Sequence, residues 1–273
     1  MTKLNTNIIK DKIIYLIATI FPNFFKKKFL QKTSGISLDD LKQNKIIEPE
    51  LILLKDIIRK DDICFDIGAY NGEYIFEIEK YTSSKNIYAF EPVKRNYNII
   101  KSLFPKINCY NIALSNVDQI SQINIPKINN KLVFTRSKLN ESITEKNQQN
   151  HISQEVECLS IDSFIKKEGI KKIDFIKIDV EGSEFDVLKG AEETLRIFRP
   201  KMIIEIEDRH HPKNIFNAII LFIKKFQYNI EFFDCKTSSM QPIEKFSIDR
   251  NQDINLIGSS NYINNFICTP KKI

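Results

Sequence analysis

Glycine, histidine and cysteine are all scarce in this chain of 273 residues, at seven, three and five copies. With so few glycines, each one calls for a local reason. The cysteines (Cys64, Cys109, Cys158, Cys235 and Cys268) are odd in number, and no pair has metal-ligand spacing. That excludes a disulfide framework and a paired-cysteine metal centre, and it fits buried thiols in a reducing compartment. No apolar run is long and unbroken enough to span a bilayer, and no small-residue cleavage site marks a secretory signal. No basic stripe with interleaved aromatics is present, nor any nucleic-acid-binding module, so a nucleic-acid partner is not expected. Internal repeats are absent.

What is there is ordinary for a globular protein: 42% hydrophobic and 28% charged residues, with enough length for a sizeable core. The net charge of +6 reads as a solvated lysine-rich surface; a membrane face or a nucleotide sugar would be the matching anionic partner. Near the N-terminus, Ile13 to Phe25 is apolar, broken by Pro22 and followed by Lys26-Lys27-Lys28. Two readings stand: an amphipathic cap packed on the domain or on a second subunit, or a helix lying peripherally on an anionic membrane face. The expected location is cytoplasmic, with that segment able to touch the inner membrane face.

Residues 1–58 read as a helical extension with breaks around Gly35 and Pro49. Strand–helix alternation then begins. Strands are expected at 63–67, 86–90, 108–114, 173–178, 202–206 and 230–233, with a last one at 266–269. Helices are expected at 74–81, 93–104, 161–168, 184–198 and 214–226. This alternation predicts an α/β fold with a mostly parallel, doubly wound sheet of seven strands over residues 59–273. Residues 115–158 interrupt it with a polar, hairpin-like insertion whose middle, around 135–150, reads as a loop or lid.

Three motifs carry chemistry. Asp66-Ile67-Gly68-Ala69-Tyr70-Asn71-Gly72 follows an apolar strand and precedes a helix. Gly68 allows a sharp turn and close ligand approach, and Gly72 opens the helix toward a carboxylate or phosphate. The spacing D-x-G-x-x-x-G is not the G-x-G-x-x-G of a nicotinamide site. Second, Phe90-Glu91-Pro92 ends the next strand, where an acid can accept both hydroxyl protons of a ribose. Third, an apolar strand ends in Asp179, and Glu181, Gly182 and Glu184 follow at a helix start. Ligands of such sheets bind at the carboxyl ends of the strands, which would gather Asp66, Glu91, Asp179 and Glu181 on one edge. Glu184 reads as a first-turn acid matched to the helix dipole.

With these residues in view, the chain resembles the FkbM family of S-adenosylmethionine-dependent methyltransferases. The carrying segments are Phe65 to Tyr74, Ala89-Phe90-Glu91-Pro92, Ile112-Ala113-Leu114-Ser115, Leu159 to Phe164, Lys177 to Ala191 and Pro200 to Ile206. Together they span roughly residues 60–210 in the family's order. Tyr70 and the Leu159-Ser160-Ile161-Asp162 segment depart from the usual pattern, and the first 50 residues lie outside it.

The resemblance implies methyl transfer from S-adenosylmethionine to a hydroxyl, typically of a sugar or polyketide, and here of a small-molecule or glycan acceptor. It implies that Asp66, Gly68, Asn71 and Gly72, with Ala69 beside them, hold the donor's methionine part. Glu91, with Pro92, would hold the ribose, and the segment at Ala113 would face the adenine. Because a neutral alcohol is a weak nucleophile, a base within reach helps; Asp179, Glu181 and His210 (or its neighbour His211) are the candidates. Asp179, Glu181 and Glu207-Asp208 could instead hold a divalent cation, but no tight ligand motif is present and no metal is expected. The competing readings are N-methylation of an amino sugar or protein, a non-catalytic module retaining the fold, and a nicotinamide oxidoreductase.

Overall fold

The computed structural model describes Ile20, Phe24 and residues 48–129, 131–139 and 148–272. The N-terminal segment from Ile13 to Phe25, apart from Ile20 and Phe24, and the break expected at Gly35 lie outside the described residues. So does the centre of the insertion, at 140–147.

Four short, largely buried runs build the middle of the main sheet: β1 (Cys64–Ile67), β2 (Ile87–Phe90), β9 (Phe175–Ile178) and β10 (Lys201–Glu205). Strands covered on both faces can be apolar throughout, and these nearly are. The sheet has eight strands in the order β12-β11-β13-β10-β9-β1-β2-β3. The remaining members are β3 (Asn108–Tyr110), β11 (Tyr228–Asp234), β12 (Ser239–Pro242) and β13 (Asn265–Pro270). From β10 to β3 every pair is parallel; β13 runs antiparallel between β10 and β11. The strand beyond the expected seven is β12, which forms a hairpin with β11 at the edge.

Helices cover both faces. Leu51, Leu54 and Ile57 of α1 (Glu50–Ile57) share a core with α2 (Glu73–Ile78) and α3 (Lys94–Leu103) against Cys64, Ala89, Phe175 and Ile203. This end of the N-terminal extension is therefore packed on the sheet. The opposite face, carrying Phe65, Ile67, Phe90, Ile176 and Ile204, packs on α4 (Ile161–Glu168), α5 (Glu184–Lys189) and α7 (Ile215–Lys225). α4 starts where the Ser160 hydroxyl accepts a hydrogen bond from the Ser163 amide and stops at Gly169 in the left-handed region, as capping chemistry requires. The helix expected at 184–198 is two, α5 and α6 (Glu192–Ile197), separated at Gly190-Ala191.

The strand expected at 108–114 is also two. Asn111 turns its side-chain amide onto the carbonyls of Glu91 and Pro92, at 2.9 and 2.8 Å. Beyond it, β4 (Ile112–Leu114) leaves the main sheet and pairs in parallel with β8 (Gln148–Leu159). β8 pairs antiparallel with β5 (Gln119–Ile128), and β6 (Lys131–Leu132) and β7 (Lys138–Leu139) add to β5. The insertion is thus a second, five-stranded sheet. Among the described residues no helix is long and apolar enough to cross a membrane.

Candidate functional site

Strand order reverses beside β1: β2 lies on one side and β9 on the other. At such a switch point the loops leaving neighbouring strands part and open a crevice. Here the crevice is a cavity of about 380 Å³, within the range of small-ligand sites. Its walls come from the ends of β1 (Gly68, Tyr70), β2 (Glu91, Pro92), β4 (Ala113), β9 (Asp179, Glu181) and β10 (Glu205). The insertion closes one side with Ile123, Phe134, Thr135, Ser137 and Leu139. The Arg95 guanidinium stacks on the Phe134 ring, 4.5 Å from its centroid, and ties that wall to α3.

Gly68 has φ +82°, and a Cβ there would stand 1.7 Å from the Asp179 carbonyl oxygen. Only glycine lets the β1 turn close on the β9 turn, and the two are pinned by the Asp179 amide donating to the Ile67 carbonyl at 2.9 Å. The next strand end is held by a side chain. Glu91 is 4% exposed; its Oε2 accepts from the Tyr70 amide and its Oε1 from the Val93 amide, each at 2.8 Å. The Asn96 side chain adds a longer bond, 3.4 Å, to Oε1. Burial pushes the Glu91 carboxyl up to about 8, against the pull of those amides. A carboxylate has roughly four acceptor positions, so capacity remains on the side facing the cavity.

Of the other residues expected around a donor, Ala113 lines the cavity, and Asp66, Ala69, Asn71 and Gly72 are not among its lining residues. Asp66 is 2% exposed, lies in register beside Lys177, and is raised to about 7 by burial. Gly72 is the residue before α2, and a Cβ there would meet the Phe104 ring at 2.5 Å.

Asp179 and Glu181 both face the cavity, with side chains 30% and 21% exposed. His210 does not; it backs Glu181, its Nδ1 3.2 Å from Glu181 Oε2. Burial lowers His210 to about 4, so its ring is neutral near pH 7. Burial, with Asp179 and Glu184 nearby, raises Glu181 well above the usual carboxylate range. His211 is on a different partner, Glu184, at 3.0 Å. Glu184 is a clamp for the turn: its Oε1 accepts from the amides of Val180 and Gly182 at 3.2 and 3.0 Å. Glu207 binds Arg209 and accepts from the Tyr262 hydroxyl. Among the described residues no group of three His, Cys, Asp or Glu side chains is arranged to hold a metal ion.

Three contributors escaped the sequence reading. Glu205 and Glu48 line the cavity together with Glu73; Glu48 precedes the region of resemblance, and Glu205 looked like an ordinary strand end. Lys177 left a signal, a lysine inside an otherwise apolar strand, and it is 1% exposed beneath Asp179.

The cavity lining therefore combines apolar side chains (Ile112, Leu114, Ile123, Phe134, Leu139), a buried acid (Glu91) and a group of carboxyls (Glu48, Glu73, Asp179, Glu205). Such a lining suits a flat base, a diol and a cation.

The chain matches the methyltransferase FkbM domain model over residues 66–230. No match was found among curated proteins. Among solved structures it is similar to an FkbM methyltransferase from Methylobacillus flagellatus KT at 13% identity and a TM-score of 0.48, covering 97% of this chain and 59% of that one. It is similar to an O-methyltransferase from Bacillus cereus in complex with SAH at 14% identity and a TM-score of 0.42, covering 94% and 100%. Aeropyrum pernix fibrillarin, with natively bound S-adenosyl-L-methionine, is similar at 13% identity and a TM-score of 0.40, covering 80% and 72%. The chain spans 59% of the length of the first of these.

Proposed function

The chain belongs to the FkbM methyltransferase family, and from that premise we propose that it moves a methyl group from S-adenosylmethionine to a hydroxyl of a sugar or glycan precursor. The observation that carries this reading is Glu91, a buried acid on the wall of a cavity lined by both apolar side chains and carboxyls. The apolar lining, with Phe134, Leu139 and Ala113, takes the adenine. Glu91, already fixed by two backbone amides, accepts the ribose hydroxyls. The carboxyls face the donor's ammonium and sulfonium charges. Gly68 supports the fit, since a side chain there would collide with the β9 turn at Asp179.

Bound S-adenosylmethionine supplies a methyl on a sulfonium centre: the acceptor oxygen's lone pair forms the C–O bond as the C–S pair returns to sulfur. The protein's part is alignment and proton removal. Asp179 and Glu181 are the carboxyls that reach the cavity from the strand end, and the acceptor's hydroxyl proton goes to one of them. His210 orients Glu181 from behind. The hydroxyls of Thr135, Ser137 and Ser183 on the same walls favour a polar, hydroxyl-bearing acceptor over an apolar one.

The test is incubation of the purified protein with methyl-labelled S-adenosylmethionine and a panel of nucleotide sugars and glycans, with mass spectrometry of the products. Transfer to a hydroxyl is expected. Label on nitrogen would replace the O-methyl reading, and absence of donor binding by calorimetry would remove the donor assignment.

A further inference from the structure

A charged lysine in the middle of a sheet needs an explanation. Taking an ammonium out of water is costly, and apolar replacement of a buried ion pair is often neutral or stabilising. Lys177 nevertheless sits on β9 among Phe175, Ile176 and Ile178, with Asp66 and Ile203 beside it in register. It is fixed from several sides. Its Nζ donates to Asn265 Oδ1 at 3.0 Å and to the Ile178 carbonyl at 3.5 Å, and lies 4.8 Å from the centroid of the Tyr74 ring. Asp179 Oδ2 is 3.7 Å away.

The surroundings are otherwise acidic. Asp66 reaches it from β1, Asp179 and Glu205 from the ends of β9 and β10, Glu48 and Glu50 from the start of α1, and Tyr74 from α2. Glu73 and Glu181 act on the same group through Asp179. The Asp179 charge also acts on Glu205, while Asn264 donates to Glu205 Oε1 at 2.8 Å. Without a cation, neighbouring carboxyls this close would share protons.

Resting on the methyl-transfer reading above, we propose that Lys177 is a positioning residue: its tethered ammonium, 3.7 Å from Asp179 Oδ2, keeps that side chain turned to the cavity, where it takes the acceptor's hydroxyl proton. The O–H bond breaks, its pair becomes the nucleophile, and the proton binds an Asp179 carboxylate oxygen. Burial and the nearby Asp179 charge push the Glu205 carboxyl upward, which sets it apart from Asp179 as the weaker candidate for the base.

Lys177→Met, Lys177→Arg and Asn265→Leu test this in the full chain. S-adenosylmethionine binding is measured by calorimetry in buffers of different ionisation enthalpy, and transfer to the acceptor found by labelling is followed from pH 6 to 9. Lys177→Met is expected to release about one more proton on donor binding than the wild type. Its turnover at pH 7 falls on the order of a hundredfold and recovers toward pH 9. Lys177→Arg keeps the wild-type profile, and Asn265→Leu, which cuts the tether only, shifts it part of the way. If Lys177→Met does not fold, Asn265→Leu carries the same test. A slower Lys177→Met enzyme with an undisplaced pH profile and the wild-type proton count overturns the proposal and leaves Lys177 a packing residue. A wild-type protein that binds no donor instead removes the underlying reading, and this inference with it.

Discussion

Glu91→Gln separates the structural from the ligand-binding work of one side chain. The carboxylate serves two backbone donors, Tyr70 N–H on one oxygen and Val93 N–H on the other, both at 2.8 Å. Glutamine has one acceptor oxygen, so either rotamer turns an NH2 toward one of these amides. A buried N–H without a partner costs about 1–3 kcal/mol, and each kcal/mol moves the melting temperature by roughly 2–4 °C in a domain of this size. The folded carboxyl is raised from 4.5 to about 8, so the native state holds that proton more tightly than the unfolded chain. The stability this confers is complete below pH 4.5 and is lost as pH rises to about 8, with a slope of at most about 1.4 kcal/mol per unit. Asp66, raised to about 7, acts in the same direction. The wild type should therefore lose stability from pH 5 to 8, and the gap to Glu91→Gln should narrow over that range. Donor affinity should fall by about 0.5–1.5 kcal/mol, the range for a hydrogen bond between neutral groups, since the carboxyl is mainly protonated below about pH 8. Thermal melts at pH 5, 6, 7 and 8 with calorimetry on S-adenosylmethionine measure both. A gap that stays constant with pH, together with unchanged donor affinity, would refute the account of Glu91.

Three further outcomes are expected. Gly68→Ala should lose about 2–5 kcal/mol in urea unfolding, from the left-handed backbone and the overpacking against Asp179, and should lose donor binding with it; near-wild-type stability would mean the two turns are not in contact. Asp179→Asn should lower single-turnover rate far more than donor affinity, and the opposite pattern would move Asp179 into the donor site. Phe134→Ala should weaken S-adenosylmethionine binding by about 1 kcal/mol, the size of a lost aromatic contact, and an unaffected dissociation constant would take the insertion out of the adenine wall.

The main sheet was legible because its centre is made of short apolar runs ended by acids and glycines, a pattern local enough to read residue by residue. Glu91 could be placed for the same reason, since strand end and motif coincide. What stayed hidden depends on side chains that override local pattern. Ile112-Ala113-Leu114 looks like a continuation of the preceding strand; it turns into the second sheet where Asn111 bonds the Glu91 and Pro92 carbonyls and β4 pairs with β8. His210 and His211 are adjacent in sequence yet serve Glu181 and Glu184 separately, and nothing in the spacing announces that.

That diversion bears on specificity. Because the chain crosses at β4 from the main sheet to pair with β8, the insertion is anchored beside the cavity through the strand that carries Ala113. Val93, Ala113, Ile123, Ile125, Val156 and Cys158 form a core of their own there. The wall bearing Phe134, Thr135 and Ser137 is therefore coupled to the floor by a packed sheet and cannot be treated as a free surface loop. A change of acceptor class in this scaffold is then expected to require changes on β5 and the Phe134–Ser137 turn, where side chains meet the cavity while the pairing of β5 with β8 stays intact. On the proposed mechanism, changes at Asp179 or Glu181 would alter the rate before they altered the choice of substrate, because the proton those carboxyls would take is one that every hydroxyl acceptor shares.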